Sequence, residues 1–445
     1  MKLLILLFIF LTSTSFAQDC TEVIFRKSEL EKCDGECVFK EVQASGKELL
    51  TQLFNERLQY KSLLPSPEGK ICALQIKELM VLLREKADLV GANLYNQIKI
   101  SDVDFKKVAP PIMDHSQYPE YFLSSPSEKF EFLPGDVMIT KGVSLVSSSI
   151  SALSSYHSGF SHIVFLQIDP SSKEISTIES YIGKGVGVYP IVEALKNENA
   201  RILVLRSKDQ DLAEKASLYM GERVKKVAEA GAYIPYDFDF NFEDDSKLSC
   251  EEVAYSALKF ASNGQMIIPE YPTELNIANP DITRRFNIKT GTLMMPADME
   301  SDSRFEVVLD WTDFRLIRDS WRKDVIAQVM IEELNKGNYR IPETFASRIA
   351  RIIWKGRKIK WLWPLLSKIS GIDRNITPDV PVNNIATIAS FKKVEQLFLP
   401  VLQKADLEFY QKNRYWAERM YLFKKMQELM PIKRDEALKV LEGSL

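Results

Sequence analysis

The chain has 445 residues, 45% hydrophobic and 27% charged. That excludes a disordered or fibrous protein and is ample for a large buried core. With 58 basic against 61 acidic side chains and a formal net charge of −3, no basic excess marks a dedicated nucleic-acid binder.

The first residues carry a targeting pattern. Lys2 precedes the unbroken apolar run Leu3–Leu11, and Ser15-Phe16-Ala17 supplies small residues at the −3 and −1 positions of a cleavage site. The pattern predicts a secretory signal peptide over 1–17, with the mature chain from Gln18 and a periplasmic or secreted protein. The apolar run is too short for a bilayer, which takes about 20 residues. Asp19 before Cys20 is unlike a lipidation site.

Residues 18–113 read as a helical region, from the apolar spacing of Lys47–Leu58 and Leu74–Leu89. Four of the five cysteines, Cys20, Cys33, Cys37 and Cys72, fall in it. In an oxidising compartment they most simply make two disulfides, with three pairings open. Cys250 is then a free thiol by arithmetic.

Residues 114–133 form a Pro- and Ser-bearing connector, and 134–310 change period. Val137–Thr140, His162–Ile168, Glu174–Ser180, Gly185–Ile191, Arg201–Leu205 and Arg304–Leu309 read as short strands. Ser144–Ser155, Gln210–Ala230 and Cys250–Ser262 read as helices. The remainder, 311–445, is helical again. The whole predicts an α+β core between two helical regions.

Ser249 followed by Glu252 is a capping box that opens a helix at Cys250. Apolar or small residues at Cys250, Val253, Ala254, Ala257, Leu258 and Ala261 turn that thiol toward the protein. A helix N-terminus favours thiolate and can hold an oxyanion. The plain alternative is a small residue sealing a helix end. Three histidines could serve as base: His115 in the connector, His157 in a Ser/Gly-rich loop, and His162. With Asp169–Ser172 as a four-residue turn, Ile168 faces Lys173 and His162 faces Glu179. A carboxylate there would orient the imidazole. Cysteine, histidine and carboxylate together point to attack on an acyl group. Zinc fits the spacing poorly, and no metal or cofactor is expected.

The ordered set Leu133-Pro134-Gly135-Asp136-Val137, Phe160-Ser161-His162-Ile163-Val164, Ile178-Glu179-Ser180, Pro235-Tyr236-Asp237 and Leu248-Ser249-Cys250-Glu251-Glu252 resembles the permuted papain-like amidases, the YaeF/YiiX group. These are circularly permuted relatives of bacterial cell-wall cysteine peptidases and of lecithin:retinol acyltransferase. The resemblance covers roughly 134–262 and reaches neither helical region. It implies a circularly permuted papain-like core with Cys250 as nucleophile, His162 as base and Glu179 as orienting residue. It further implies hydrolysis of amide bonds in peptides or peptidoglycan, or acyl transfer or lipid amide cleavage by the same residues. Only Glu252 of Glu251-Glu252 matches the Ser-Glu that commonly follows the nucleophile. A non-catalytic envelope-binding protein on a degenerate enzyme fold is the reading from a different class.

Asp237–Glu243 alternates acid or amide with Phe. Phe242 stands where a calcium loop needs Gly, so an EF-hand is rejected. An extended strip with Phe inward is expected instead, and Asp136, Tyr236 and Asp237 are candidate cleft residues. In 348–368, basic residues interleave with Trp354, Trp361 and Trp363. Peripheral contact with an anionic envelope surface is one reading, and a solvated basic face is the other.

Overall fold

The computed structural model of the chain describes residues 20–94, 120–123, 130–196, 199–266, 269–280, 283, 291–337, 382–433 and 436. The expected signal peptide, His115 and the basic stretch 348–368 lie outside the described residues.

Helices α1 (Thr21–Lys32), α2 (Gly35–Leu63), α3 (Pro67–Ile71) and α4 (Ala73–Leu94) open the fold. Asp34 caps α2 by accepting from the Cys37 N–H. Leu49, Leu50 and Leu53 of α2 join Ile76, Leu79, Met80 and Leu83 of α4 in one core, as their helical spacing requires. The four expected cysteines pair as Cys20–Cys72 and Cys33–Cys37. The first bond ties the start of α1 to the start of α4, and the second closes the α1–α2 turn. Two disulfides fit an oxidising, extracytoplasmic compartment. Among the described residues no helix is long and apolar enough to cross a membrane.

The centre is a seven-stranded sheet, every pairing antiparallel. Its strands are β1 (Glu120–Leu123), β2 (Val137–Gly142), β3 (His162–Ile168), β4 (Ile175–Tyr181), β5 (Gly185–Pro190), β6 (Asn199–Ser207) and β9 (Phe305–Thr312), in the order β1-β9-β6-β2-β3-β4-β5. β7 (Thr273–Glu274) and β8 (Thr292–Leu293) pair separately. The fold class is α+β. β2 and β6 lie in the middle, buried on both faces, which is why they read as continuous apolar runs. β1 pairs with β9 and falls within the stretch read as a connector. Four residues between prolines give too little alternation to show a strand.

The remaining helices cover the sheet. They are α5 (Leu145–Ala152), α6 (Ile191–Lys196), α7 (Gln210–Glu229), α8 (Cys250–Ala261), α9 (Pro296–Ser301), α10 (Phe314–Asn335), α11 (Val382–Asn413) and α12 (Arg419–Ile432). Ala216 and Met220 of α7 and Val253, Ala254 and Leu258 of α8 pack with Ile139, Ile163, Phe165 and Leu203 on one sheet face. Met138, Val164, Ile202, Val204 and Trp311 form a core on the other. Trp321 and Val325 of α10 share a third core with the N-terminal helices and with Leu422 and Met426 of α12.

The β3–β4 hairpin departs from the expected register. Ile168 faces Ile175, not Lys173, and Phe165 faces Ile178. The connecting loop therefore runs from Asp169 to Glu174. The Asp169 side chain accepts from the N–H groups of Ser171 and Ser172, and Asp169 N–H donates to the Glu174 carbonyl. Lys173 takes a left-handed φ of 60° to close the turn. The shift is two residues, so each side chain stays on its expected face.

Candidate active site

Cys250 stands at the first turn of α8. Both halves of the capping box form: Ser249 Oγ accepts from the Glu252 N–H, and the Ser249 N–H donates to Glu252 Oε2 at 2.6 Å. The helix start is thus built as its sequence indicates, and Cys250 is 3% exposed. The Ile163 and Cys250 N–H groups face the sulfur and favour thiolate, but they are outweighed. Burial, and then the Glu251 carboxylate, push the thiol well above its ordinary range. The sulfur donates to Glu251 Oε2 at 3.2 Å. The expectation of a thiol pulled toward thiolate by the helix end is therefore corrected, because desolvation and a like charge exceed the helix contribution here.

His162 opens β3, and its Nε2 donates to Glu179 Oε2 at 2.9 Å. The contact expected from the hairpin is present, although Glu179 is not directly opposite. Counting on from the Phe165–Ile178 pair sets His162 opposite Tyr181 and leaves Glu179 as the diagonal neighbour on the same face. Diagonal pairs lie within reach of long side chains. The imidazole stacks on Tyr181, with ring centroids 5.2 Å apart. Nδ1 is left for acid–base work.

Glu179 is almost fully buried at 1% exposure. Besides His162 it accepts from Thr177 Oγ1 at 2.5 Å and from the Tyr181 hydroxyl at 2.6 Å. Burial would raise its carboxyl, but the His162, Thr177 and Tyr181 donors outweigh it and hold the group below its ordinary value. The Tyr181 phenol moves up through burial and the same carboxylate. Thr177 and Tyr181 were absent from the sequence reading. Their signal was available, since residues 177, 179 and 181 alternate onto one face of a strand.

Cys250 and His162 line one cleft of about 270 Å³, together with Thr140, Ser161, Tyr181 and Tyr236. Val143, Val146 and Ile150 from the α5 side and Ile182 beyond β4 complete an apolar wall. Among the described residues that line it, none is a Lys, Arg, Asp or Glu. Of the three expected cleft residues Tyr236 is at the cleft, and burial raises its phenol, helped by the acids around Cys250.

Asp136 and Asp237 are not at the cleft. Asp136 accepts from the Leu133 N–H and from both Arg206 Nε and Nη2. Asp237 is fully buried, accepts from the Asp239 and Asn241 N–H groups, and pairs with Lys247 at 2.9 Å. These bonds wind 237–243 into turns, with Phe240 at a φ of 50°, where an extended strip was expected. An Asp that satisfies its own following backbone overrides an alternating pattern.

His157, the competing base, is elsewhere. It sits between Glu85 at 3.0 Å and Asp324 at 2.9 Å in a separate small cavity with Lys141 and Arg84. Among the described residues no group of three or more His, Cys, Asp and Glu could hold a metal ion.

Comparison with known proteins adds little. A scan against protein-family models finds no match, and a search of the curated proteins finds none. Among solved structures, the chain has a weak likeness to metalloprotein yiiX from Escherichia coli O157:H7. The match is 19% identical with a TM-score of 0.31, covering 40% of this chain and 97% of that one.

Proposed function

We propose that the protein is a secreted cysteine hydrolase that cleaves amide bonds through a thioester on Cys250. The carrying observation is that a free thiol at a helix N-terminus and a histidine line a single cleft, with Glu179 bonded to the histidine's Nε2. In the reaction the Cys250 proton passes to the His162 imidazole and the sulfur attacks the acyl carbonyl. The imidazolium, held by Glu179, then protonates the leaving amine, and water resolves the thioester. The Cys250 and Ile163 N–H groups, which face the sulfur, are the donors available to an oxyanion formed beside it. The ordered motifs described above fit a circularly permuted papain-like core, with peptidoglycan peptides as one substrate class. The apolar leader Leu3–Leu11 and the two disulfides support an envelope or external location.

The cleft lining favours a second reading of the substrate. Val143, Val146, Ile150 and Ile182 suit an uncharged acyl group better than a charged wall peptide. Lipid amide cleavage, or acyl transfer when an acceptor other than water reaches the thioester, uses the same residues. The test is incubation of wild type and Cys250→Ala with wall fragments and with acyl lipids, reading products by mass. Products from wild type alone are expected. Any product that survives in Cys250→Ala would remove Cys250 as nucleophile, and the class of substrate consumed decides between the two readings.

A further inference from the structure

The position directly after the nucleophile carries a buried acid whose role the catalytic reading leaves unassigned. Glu251 is 3% exposed, and its Oε2 accepts from the Cys250 sulfur at 3.2 Å. Cys250 lines the cleft and Glu251 does not. The carboxylate therefore stands behind the nucleophile, away from the space an acyl group would fill. Its contact with the sulfur is made on the first turn of one helix, so no rearrangement of the fold is needed to keep it.

The charged surroundings are lopsided. On α8, Glu252 follows, its carboxyl raised by burial to about 8. From the preceding loop come Tyr236 and Asp237, the latter paired with Lys247. β3 supplies His162, and β4 supplies Glu179 and Tyr181 around it. From α7, Arg223 reaches Ser256, two turns further along α8. His162 is the base that shares the cleft with Cys250, and Glu179 already holds its Nε2. A second anion beside Glu251 is opposed at close range.

We propose that Glu251 is a positioning residue that holds Cys250 as a resting neutral thiol, from which the sulfur must be released to His162 before it can react. This rests on the thiol chemistry proposed above. Release breaks the S–H···O hydrogen bond. The proton then leaves the sulfur for the imidazole, giving thiolate and imidazolium, and no electrons are exchanged. Burial raises the Cys250 thiol and the Glu251 charge adds to it, as this arrangement requires.

All four other cysteines are in disulfides, so alkylation reports Cys250 alone. The experiment follows iodoacetamide labelling of the full mature protein by intact mass, across roughly pH 5 to 10, in wild type, Glu251→Gln and Glu251→Asp. A like charge at contact shifts an acid by about one unit or more. Glu251→Gln should therefore move the labelling midpoint down and speed labelling at neutral pH about tenfold per unit. Glu251→Asp keeps the charge and should keep the midpoint high. Superimposed profiles for wild type and Glu251→Gln would overturn the proposal. So would an equal fall in both variants, which would mark a packing effect, and so would the absence of labelling in Glu251→Gln at every pH. The catalytic reading is judged separately, by Cys250-dependent product. A shifted profile without product refutes that reading alone, and a flat profile with product refutes the lock alone.

Discussion

Substituting Glu179 by Gln separates charge from shape at the partner of His162. Oε1 accepts from Thr177, while Oε2 accepts from both His162 and Tyr181. A Gln with its amide nitrogen toward Thr177 keeps an oxygen for His162 and Tyr181, because a hydroxyl can accept as well as donate. What disappears is the negative charge opposite an imidazolium. Hydrogen bonds to charged groups contribute about 1.5–3 kcal/mol net. Each 1.4 kcal/mol or so is a factor of ten, so Cys250-dependent product formation should slow by roughly 10- to 100-fold. The assay is a mass-resolved time course with whichever substrate wild type consumes, alongside urea unfolding to show that the variant is folded. A folded variant with an unchanged rate would refute Glu179 as the orienting group and, with it, the assignment of His162 as base. The same substitution has a pH signature. The Glu179 carboxyl is held below its ordinary value, so its contribution to stability is complete above an unfolded value of about 4.3 and is lost as pH falls through the lower folded value. Stability curves of wild type and Glu179→Gln should converge below about pH 4.

The two disulfides should differ in worth. Cys20–Cys72 spans 52 residues and Cys33–Cys37 spans 4. Loop-closure entropy gives about 4 kcal/mol for the first and about 2 for the second. Urea unfolding of the paired Cys→Ala variants checks the order, and equal losses would contradict it. Asp324→Ala should cost about 3–5 kcal/mol in the same assay, because it strands the buried Lys141 ammonium 2.5 Å away. Acid should weaken this cluster too. Burial would raise the Glu85 carboxyl, but Arg419 and His157 outweigh it and hold the group at about 2. Its contribution is complete above about 4.3 and fades as pH falls toward the folded value. Unfolding monitored through that window should show a shallower pH slope in Glu85→Gln than in wild type.

Local rules carried the sequence reading of this site, and long-range packing limited it. The capping box fixed where α8 begins and therefore which face Cys250 takes. Strand alternation put His162 and Glu179 on one face, and this survived a register error because the error was even. The turn at Asp169 was misjudged by two residues, since a side chain accepting two backbone N–H groups closes a longer loop than the residue pattern shows. The thiol's ionisation was misjudged for a different reason. A helix end is visible in sequence, but the desolvation that opposes it depends on β3 and the loop before α8 closing over the sulfur. His157 likewise looked like a loop histidine beside the site. Its two carboxylate partners are 72 and 167 residues away, beyond any local pattern.

Those distant partners explain how helices outside the motif-bearing segment bear on the site. α4 presents Asp88 to the sheet, and Arg84 and Glu85 to the loop before β3 and to neighbouring helices. Arg84 bonds Glu300 and the Ser158 carbonyl, Glu85 takes His157 and Arg419, and Asp88 takes Arg201. Lys141 of β2 reaches Asp324 of α10, which also holds His157. Buried charges of this kind cost several kcal/mol each unless paired, and removing one partner leaves the other uncompensated. These pairs tie the N-terminal helices, the sheet and α10 to one another. The segment they clamp, His157 and Ser158, leads within four residues into His162, where Ser161 is held by the Thr140 carbonyl and Ser147. The imidazole thus enters β3 from a loop fixed on both sides. Its ring then needs only Glu179 and Tyr181 to set its angle toward the cleft.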